Sequence, residues 1–206
     1  HPRVIADLRV MCGKGFRLDH GPQFIGGLAG NPNHNLHGAG NPHKPFVAYH
    51  HQGEPYVGGV TVTYALADSG EDDGGFACIP GSHKSRYDMP PGVRTFEDDL
   101  GVVEKPNVKA GDVIYFMDGA QTHGARSWRA DHARRAILIK FASRTTTRQG
   151  ASISSLDPTT YWDDNIVDGM TAEQRAVMFG PASAPRTREC YLDIAASGTA
   201  FVPESS

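Results

Sequence analysis

The stretch from Leu66 to His83, LADSGEDDGGFACIPGSH, most constrains what this chain can fold into. It is rich in Gly, Asp and Ser, and strand-like apolar segments flank it at 57–66 and 113–117. In the first of these segments, β-branched and aromatic residues recur at every second position, which is the period of a β-strand. Short strands joined by glycine-rich turns predict an all-β sandwich or barrel. We therefore interpret the stretch as the turn and strand at the mouth of such a barrel.

Further strands are predicted along the chain at 16–25, 46–51, 76–79 and 135–141, with a turn at 20–22 inside the first of them. The last of these strands places Ile and Phe side chains on one face and smaller or polar side chains on the other. The 24 glycines and 14 prolines exceed average usage and favour many turns over long helices. The core of the protein is therefore expected to be mainly β.

The C-terminal part of the chain has a different character, with Ser, Thr, Asp and Pro dominating beyond residue 143. Thr171 and Gln174 form the pattern of a capping box, which predicts that a short helix begins there and ends before Gly180. We therefore predict a β core over 1–150 and a C-terminal extension over 151–206 with one short helix and a flexible tail.

Composition excludes several classes of function. The 206-residue chain has a formal net charge of −3, which gives no electrostatic basis for binding nucleic acid or an anionic membrane surface. Its apolar runs are too short for a membrane span. The three cysteines are far apart and form no CxxC pair, which predicts reduced thiols and an intracellular, cytoplasmic protein. The chain begins at His1 rather than Met, so we expect native N-terminal residues to be missing.

Histidine is the residue type that points to chemistry. A single histidine is more often a surface or packed residue than a ligand. His37 and His123, however, each follow a predicted strand and precede a glycine, which lets another backbone or a small ligand approach closely. Arg134 comes eleven residues after His123, on the next predicted strand. This order suits a metal held by imidazoles beside a cosubstrate whose carboxylate the guanidinium binds in bidentate fashion. Five of the ten histidines lie in one short window, at His34, His37, His43, His50 and His51.

Six segments, taken in order, carry a resemblance to a known family: LHG (36–38), VTVTYALAD (60–68), DGGFACIPGSHK (73–84), KAGDVIYF (109–116), THGA (122–125) and RRAIL (134–138). In combination they resemble the phytanoyl-CoA dioxygenase family, whose members are Fe(II)- and 2-oxoglutarate-dependent oxygenases. The resemblance runs from about residue 17 to residue 141. It implies a double-stranded β-helix, the jelly roll of cupin-like proteins, with a few peripheral helices.

The resemblance also implies roles for individual residues. His37 and His123 are similar to the proximal and distal iron-binding histidines of the family, and Arg134 is similar to its 2-oxoglutarate-binding arginine. Tyr64 falls where the family places an aromatic residue beside the cosubstrate, with ordinary strand packing as the alternative. His83 matches a family histidine outside the iron-binding set, and we expect it to stabilise a turn.

The sequence departs from the family pattern at the third iron ligand. The family's proximal motif is His-x-Asp or His-x-Glu, which completes a facial triad of two histidines and one carboxylate. Here Gly38 and Ala39 follow His37, so no carboxylate stands at that position. Three accounts are open. Glu54 supplies the third ligand, although an ordinary solvated role for Glu54 is an equal alternative. The iron is held by two histidines and binds water or halide, as in related halogenases with Ala or Gly there. Or His51 and Glu54 replace the proximal motif, an arrangement that fits the family's spacing less well.

The predicted function is that of an Fe(II)- and 2-oxoglutarate-dependent dioxygenase, which hydroxylates a small organic substrate with dioxygen and releases succinate and CO2. The expected metal ligands are His37, His123 and, as the least certain of the three, Glu54, while Arg134 and Tyr64 are expected beside the cosubstrate. Two alternatives are a halogenase with a two-histidine iron site and a non-catalytic β-barrel that binds a metal or a small ligand. In the second alternative, the histidine window holds zinc or nickel at the surface.

Overall fold

The computed structural model describes residues 1–38, 48–85, 87–146, 158–178 and 191–203. Within them the helices and strands are α1 (Pro2–Cys12), β1 (Arg17–Gly27), β2 (His34–His37), β3 (Ala48–His51), β4 (Glu54–Val57), β5 (Gly59–Ala65), β6 (Gly75–Cys78), α2 (Pro91–Thr95), β7 (Val113–Met117), β8 (His123–Arg126), β9 (Arg134–Ala142), α3 (Pro158–Tyr161), α4 (Asp164–Gly169), α5 (Ala172–Met178), β10 (Asp193–Ile194) and β11 (Ala200–Phe201). A short 3-10 helix covers Ser82–Lys84. The predicted mainly β class with peripheral helices is confirmed.

The described strands form two sheets and two small ribbons. The larger sheet has the order β1-β9-β5-β7, and the smaller has the order β2-β8-β6. Both strand pairs of the smaller sheet are antiparallel. β3 pairs with β4, and β10 with β11. None of the helices in the described residues has the length and apolar character that a transmembrane span requires.

The chain divides into two compact units. Unit 1 comprises His1–Gly21, Ala48–Val60 and Lys140–Ser206, and unit 2 comprises Pro22–Val47 and Thr61–Ile139. Three strands, β1, β5 and β9, run through the boundary between them. The core of unit 2 includes Leu36, Val62, Ala77, Val93, Phe116 and Trp128, all buried. The boundary predicted at residue 150 falls in 147–157, outside the described residues.

Two local predictions in the first half of the chain are wrong. β1 continues through Pro22, where a turn was expected at 20–22. Since β1 is an edge strand, a proline is tolerated there because its missing amide can fall on the unpaired side. The sequence pattern also did not predict α2, which has only five residues and is therefore too short to show helical periodicity. Pro91 occupies its first turn, where the missing amide costs nothing.

In the C-terminal part the capping box is confirmed. The Thr171 amide donates to the Gln174 side chain at 2.9 Å, and the Gln174 amide donates to the Thr171 hydroxyl at 3.3 Å. Two further helices, α3 and α4, precede this one and were not predicted. β10 and β11 pair through Asp193–Phe201 and Ile194–Ala200, so part of the predicted flexible tail lies in β11. Residues 204–206 of the predicted tail lie outside the described residues.

Candidate metal and cosubstrate site

His37 and His123 are brought together by strand pairing. β2 and β8 are antiparallel neighbours in unit 2, and His37 is the direct cross-strand partner of His123. Directly opposed residues of an antiparallel pair project from the same face of the sheet. The two imidazole rings accordingly lie with their centroids 4.3 Å apart. His123 is buried and His37 is partly exposed. The pairing therefore places two imidazoles side by side at a point that solvent reaches.

Hydrogen bonds fix the orientation of both rings. Nδ1 of His123 lies 2.8 Å from the backbone oxygen of Gln121, and Nδ1 of His37 lies 3.0 Å from that of Asn35. A carbonyl oxygen only accepts, so each Nδ1 carries the hydrogen and a neutral ring then presents the lone pair on Nε2. Metal-binding histidines typically show this arrangement, with the second ring nitrogen donating to a backbone carbonyl. Both rings therefore have the tautomer that a metal ligand requires.

Glycines next to both histidines allow the strands to approach. A Cβ on Gly124 would lie 2.5 Å from the backbone oxygen of His34, and a Cβ on Gly38 would lie 2.3 Å from that of Gln121. Gly38 also has a φ of 98°, in the left-handed region that favours glycine. The prediction that these two glycines admit a neighbouring backbone is therefore confirmed.

The PGSH segment that ends the long turn also positions this pair. The backbone amide of Thr122, which directly precedes His123, donates to Oγ of Ser82 at 2.8 Å. The Ile79 amide donates to the backbone oxygen of Thr122 at 3.0 Å. His83 lies in the 3-10 helix that follows Gly81, where a turn-stabilising role was predicted. Ser82 is thus a buried positioning residue that motif reasoning about His83 missed.

The described residues do not assign a third protein ligand to the metal. His34 lies beside His37, with ring centroids 4.8 Å apart. Nevertheless, no group of three His, Cys, Asp or Glu residues among the described ones is arranged to hold a metal ion. Ala39 lies outside the described residues. Glu54 is exposed on β4 in unit 1, directly opposite His51 in the β3–β4 ribbon.

Arg134 lines a cleft in unit 2 that is open to solvent, and about 420 Å³ of empty space, part of it bulk solvent, lies within and above it. The cleft is lined mainly by apolar side chains, with Arg134, Thr63 and a few other polar residues among them. Burial lowers the pKa of the Arg134 guanidinium from its usual value. The Thr63 hydroxyl is buried and has no hydrogen-bond partner among the described residues. A cation and an unsatisfied hydroxyl in one apolar cleft fit a carboxylate, which accepts hydrogen bonds from both.

Tyr64 is not among the residues that line this cleft; its neighbours Thr63 and Ala65 are. Alternation along β5 explains this, because successive side chains of a strand point to opposite faces. Burial raises the pKa of the Tyr64 phenol, which is typical of a packed tyrosine. The side chain of this pair that lines the cleft is therefore that of Thr63. Alternation along β5 could have predicted this from the sequence, because the Thr63 side chain points into the cleft if that of Tyr64 points away from it.

Aromatic side chains connect the cleft with the histidine pair. Phe76 lines the cleft and contacts Phe116, with ring centroids 4.9 Å apart. Phe116 in turn contacts His123 at 4.4 Å. Trp128 is buried, lines the cleft and donates from Nε1 to the backbone oxygen of His132 at 2.7 Å. The cleft and the two imidazoles therefore belong to one continuous apolar environment.

The fold of this chain is similar to the folds of several solved structures. Similar folds include HygX from Streptomyces hygroscopicus with nickel and 2-oxoglutarate bound (TM-score 0.58, 20% identity, 72% of this chain and 64% of that chain). HygX with nickel, 2-oxoglutarate and hygromycin B bound gives a TM-score of 0.59 at 19% identity, over 71% of this chain and 63% of that one. EvdMO1 gives 0.53 at 23% identity, over 69% and 31%.

The family model described as phytanoyl-CoA dioxygenase (PhyH) matches residues 23–136, which is more than half of the chain. The protein belongs to this family, and the predicted family and jelly-roll fold are confirmed. Fe(II) and 2-oxoglutarate are the cofactor and cosubstrate of the family. No curated protein sequence matches the chain. The chain spans about 64% of the length of HygX.

Proposed function

We propose that this protein is an Fe(II)- and 2-oxoglutarate-dependent dioxygenase that hydroxylates a small organic molecule. The observation that carries the proposal is the register of His37 and His123, because it presents two Nε2 lone pairs beside the cleft of Arg134. When bound, the iron and 2-oxoglutarate supply oxidative chemistry with dioxygen, with succinate and CO2 as products. The remaining contributions come from this chain's own side chains.

His37 and His123 hold the metal through Nε2, while the carbonyl groups of Asn35 and Gln121 keep the rings in that orientation. Arg134 and Thr63 bind the far carboxylate of the cosubstrate. Because the guanidinium is half-buried among apolar side chains, its attraction for a carboxylate is stronger than it would be in water. Phe76 and Phe116 exclude water between the two parts of the site.

A halogenase is the second candidate function, and one observation favours it. Position 39 is alanine where the family has a carboxylate, which leaves a metal position open to halide or water. In the competing account, Glu54 remains the candidate third ligand. Two measurements separate these accounts. A halogenase depends on chloride and incorporates it into a chlorinated product. Glu54→Ala abolishes iron binding only if Glu54 is a ligand.

The substrate is proposed to be a small molecule. This is supported by the HygX structure with hygromycin B bound, which has the same fold at low identity. HygX supports only the class of substrate, whereas the proposed hydroxylation follows from the histidine pair and the cleft of this chain.

The test is anaerobic binding of Fe(II) and 2-oxoglutarate, followed by measurement of succinate after exposure to air. We expect wild type to bind both and to form succinate. Arg134→Ala should weaken 2-oxoglutarate binding roughly 10- to 100-fold because charged hydrogen bonds are lost. Arg129→Ala, an exposed arginine on the preceding loop, is the matched control and should bind normally. Metal binding without any succinate would instead support the non-catalytic barrel.

A further inference from the structure

The smaller sheet extends the histidine pair into a row of four chemically active side chains. His37 pairs with His123 across β2 and β8, and His123 pairs with Cys78 across β8 and β6. Cys78 is in turn bridged to Glu104, which lies on the segment beyond β6. All four residues belong to unit 2. Residues adjoining one another in this way occupy successive strands along one line across a sheet.

The four side chains share one face. Directly opposed residues of antiparallel strands project to the same side. Cys78 and Glu104 exchange both backbone hydrogen bonds, at 2.9 and 2.8 Å, so their pairing is fixed. Phe76, two residues before Cys78 and hence on the same face, reaches Phe116, which contacts His123. The face that carries Cys78 and Glu104 is therefore the face of the candidate metal site.

The spacing of these four residues indicates which of them can bind the metal and which can contact the substrate. Neighbouring strands lie about 4.8 Å apart, which places the backbone of Glu104 roughly 10 Å from that of His123. Among the described residues, Glu104 forms no metal-binding group with the two histidines. It is well placed to contact a small molecule that lies over Cys78 and reaches the metal.

Glu104 carries a charge that no salt bridge among the described residues neutralises. It is exposed, and among the described residues its carboxylate forms no ion pair or side-chain hydrogen bond. The adjacent Lys105 donates instead to the backbone oxygen of Gly70. Arg126 opposes Gly75 on the other face of the sheet, where it pairs with Asp99. Burial and, second, the negative charge of Glu104 raise the pKa of the Cys78 thiol.

We propose that Glu104 makes the substrate side of the site selective for cations, and that the substrate bears a protonated amine which Glu104 binds while the molecule lies over Cys78. The inference rests on the proposed function and names the chemical class of its substrate. A site with a fixed arginine for the anionic cosubstrate and a separate carboxylate for a cationic substrate distinguishes the two molecules by charge.

Cys78 reports on this charge directly, because its thiol lies next to Glu104. We would measure modification rates with three methanethiosulfonates that carry a trimethylammonium group, a sulfonate group or a neutral methyl group. Each reaction transfers the reagent's thioalkyl group to the Cys78 thiolate as a disulfide and releases methanesulfinate. Mass spectrometry of the peptide with Cys78 gives the rate for this thiol alone. Cys12, whose pKa burial raises to about 12, should stay unmodified as an internal control.

A unit charge about 6 Å away in water-like dielectric changes each rate roughly 3-fold. The cationic reagent should therefore react roughly 10-fold faster than the anionic one at low salt, after correction with a neutral cysteine amide in solution. Division by the neutral reagent's rate removes the effect of the thiol pKa. Glu104→Gln should remove the preference, and Glu104→Lys should reverse it. Glu97→Gln, which removes the charge of another exposed glutamate, should leave it intact.

A second measurement uses protein loaded with Ni(II) and 2-oxoglutarate. Hexylammonium should slow modification of Cys78 by the neutral reagent, whereas 1-hexanol should not, and Glu104→Gln should lose this protection. Equal rates for cation and anion in wild type, or equal protection by amine and alcohol, would overturn the inference. Normal 2-oxoglutarate binding in that case would leave the proposed function intact, while failure to bind 2-oxoglutarate would contradict the proposed function itself.

Discussion

Gly38 packs against the backbone carbonyl of Gln121, and the same carbonyl oxygen accepts the Nδ1 hydrogen of His123. One backbone group therefore sets both the approach of β2 to β8 and the orientation of a candidate metal ligand. Close packing, ring tautomer and strand register are coupled at this point. This coupling gives the first prediction.

Gly38→Ala should weaken metal binding although it removes no ligand. A Cβ at this position would lie 2.3 Å from the Gln121 oxygen, on a residue whose φ is 98°. Since the carbonyl must move, the His123 ring loses its orientation, and we expect metal affinity to fall roughly 10- to 100-fold, as for other losses of ligand-orienting bonds. Calorimetric titration with Co(II) measures this. Gly92→Ala is the control, since a Cβ there meets nothing within 4 Å.

Replacement of either paired histidine should abolish tight metal binding. His37→Ala and His123→Ala each remove one imidazole of the cross-strand pair, whereas His34→Ala leaves the pair intact. Equilibrium dialysis with Fe(II) under anaerobic conditions separates these cases. Retention of metal by His123→Ala would show instead that a surface histidine cluster holds it.

Thr63→Val should weaken 2-oxoglutarate binding roughly 10-fold, because a charged carboxylate loses one hydrogen bond while the shape of the cleft is kept. Thr63→Ser should restore the affinity. Thr61→Val is a close control, since Thr61 is also a buried threonine of β5 whose hydroxyl has no partner among the described residues, yet it does not line the cleft. Binding is measured with N-oxalylglycine in the absence of oxygen, and equal losses in both valine variants would argue against a role for Thr63.

Asp19→Ala should destabilise the fold severely. Arg17 and Asp19 form an ion pair in unit 1 with both side chains fully buried, and Arg17 also donates to the backbone oxygen of Thr146. Removal of the carboxylate breaks this buried ion pair, which costs about 3–5 kcal/mol of unfolding free energy. Urea unfolding followed by circular dichroism gives this value. Lys109→Ala, which breaks an exposed ion pair with Asp68, should leave the unfolding midpoint nearly unchanged.

His132 should make stability depend on pH near neutrality. Its Nε2 donates to the backbone oxygen of Asp68 and its Nδ1 lies 3.2 Å from the Asp131 carboxylate, and these contacts raise the His132 pKa. A raised pKa in the folded state means that the contribution is complete below the unfolded value of about 6.5 and is lost as pH rises through the folded value. The His132→Gln variant should therefore show a smaller fall in melting temperature between about pH 6 and pH 8 than the wild-type protein. An unchanged pH profile would show that His132 contributes nothing.

The order of motifs along the chain determined the family and much of the secondary structure of this protein. Period-two patterns identified most of β5 and β9, and a short apolar run identified β7, because both patterns are local properties of a strand. The capping box of Thr171 and Gln174 was predictable for the same reason, since both partners lie within one helical turn. The combination of LHG, PGSH, THG and the following arginine sufficed for the family.

Only the tertiary structure decided which side chains meet. The direct pairing of His37 with His123, and of His123 with Cys78, depends on strand register between segments far apart in the chain, which no local pattern encodes. Alternation along β5 also places Thr63 and not Tyr64 in the cleft with Arg134, because successive side chains of a strand point to opposite faces. The long turn from Leu66 to His83 thus indicated the family, while the pairing of distant strands placed Ser82 beneath Thr122 and Glu104 beside Cys78.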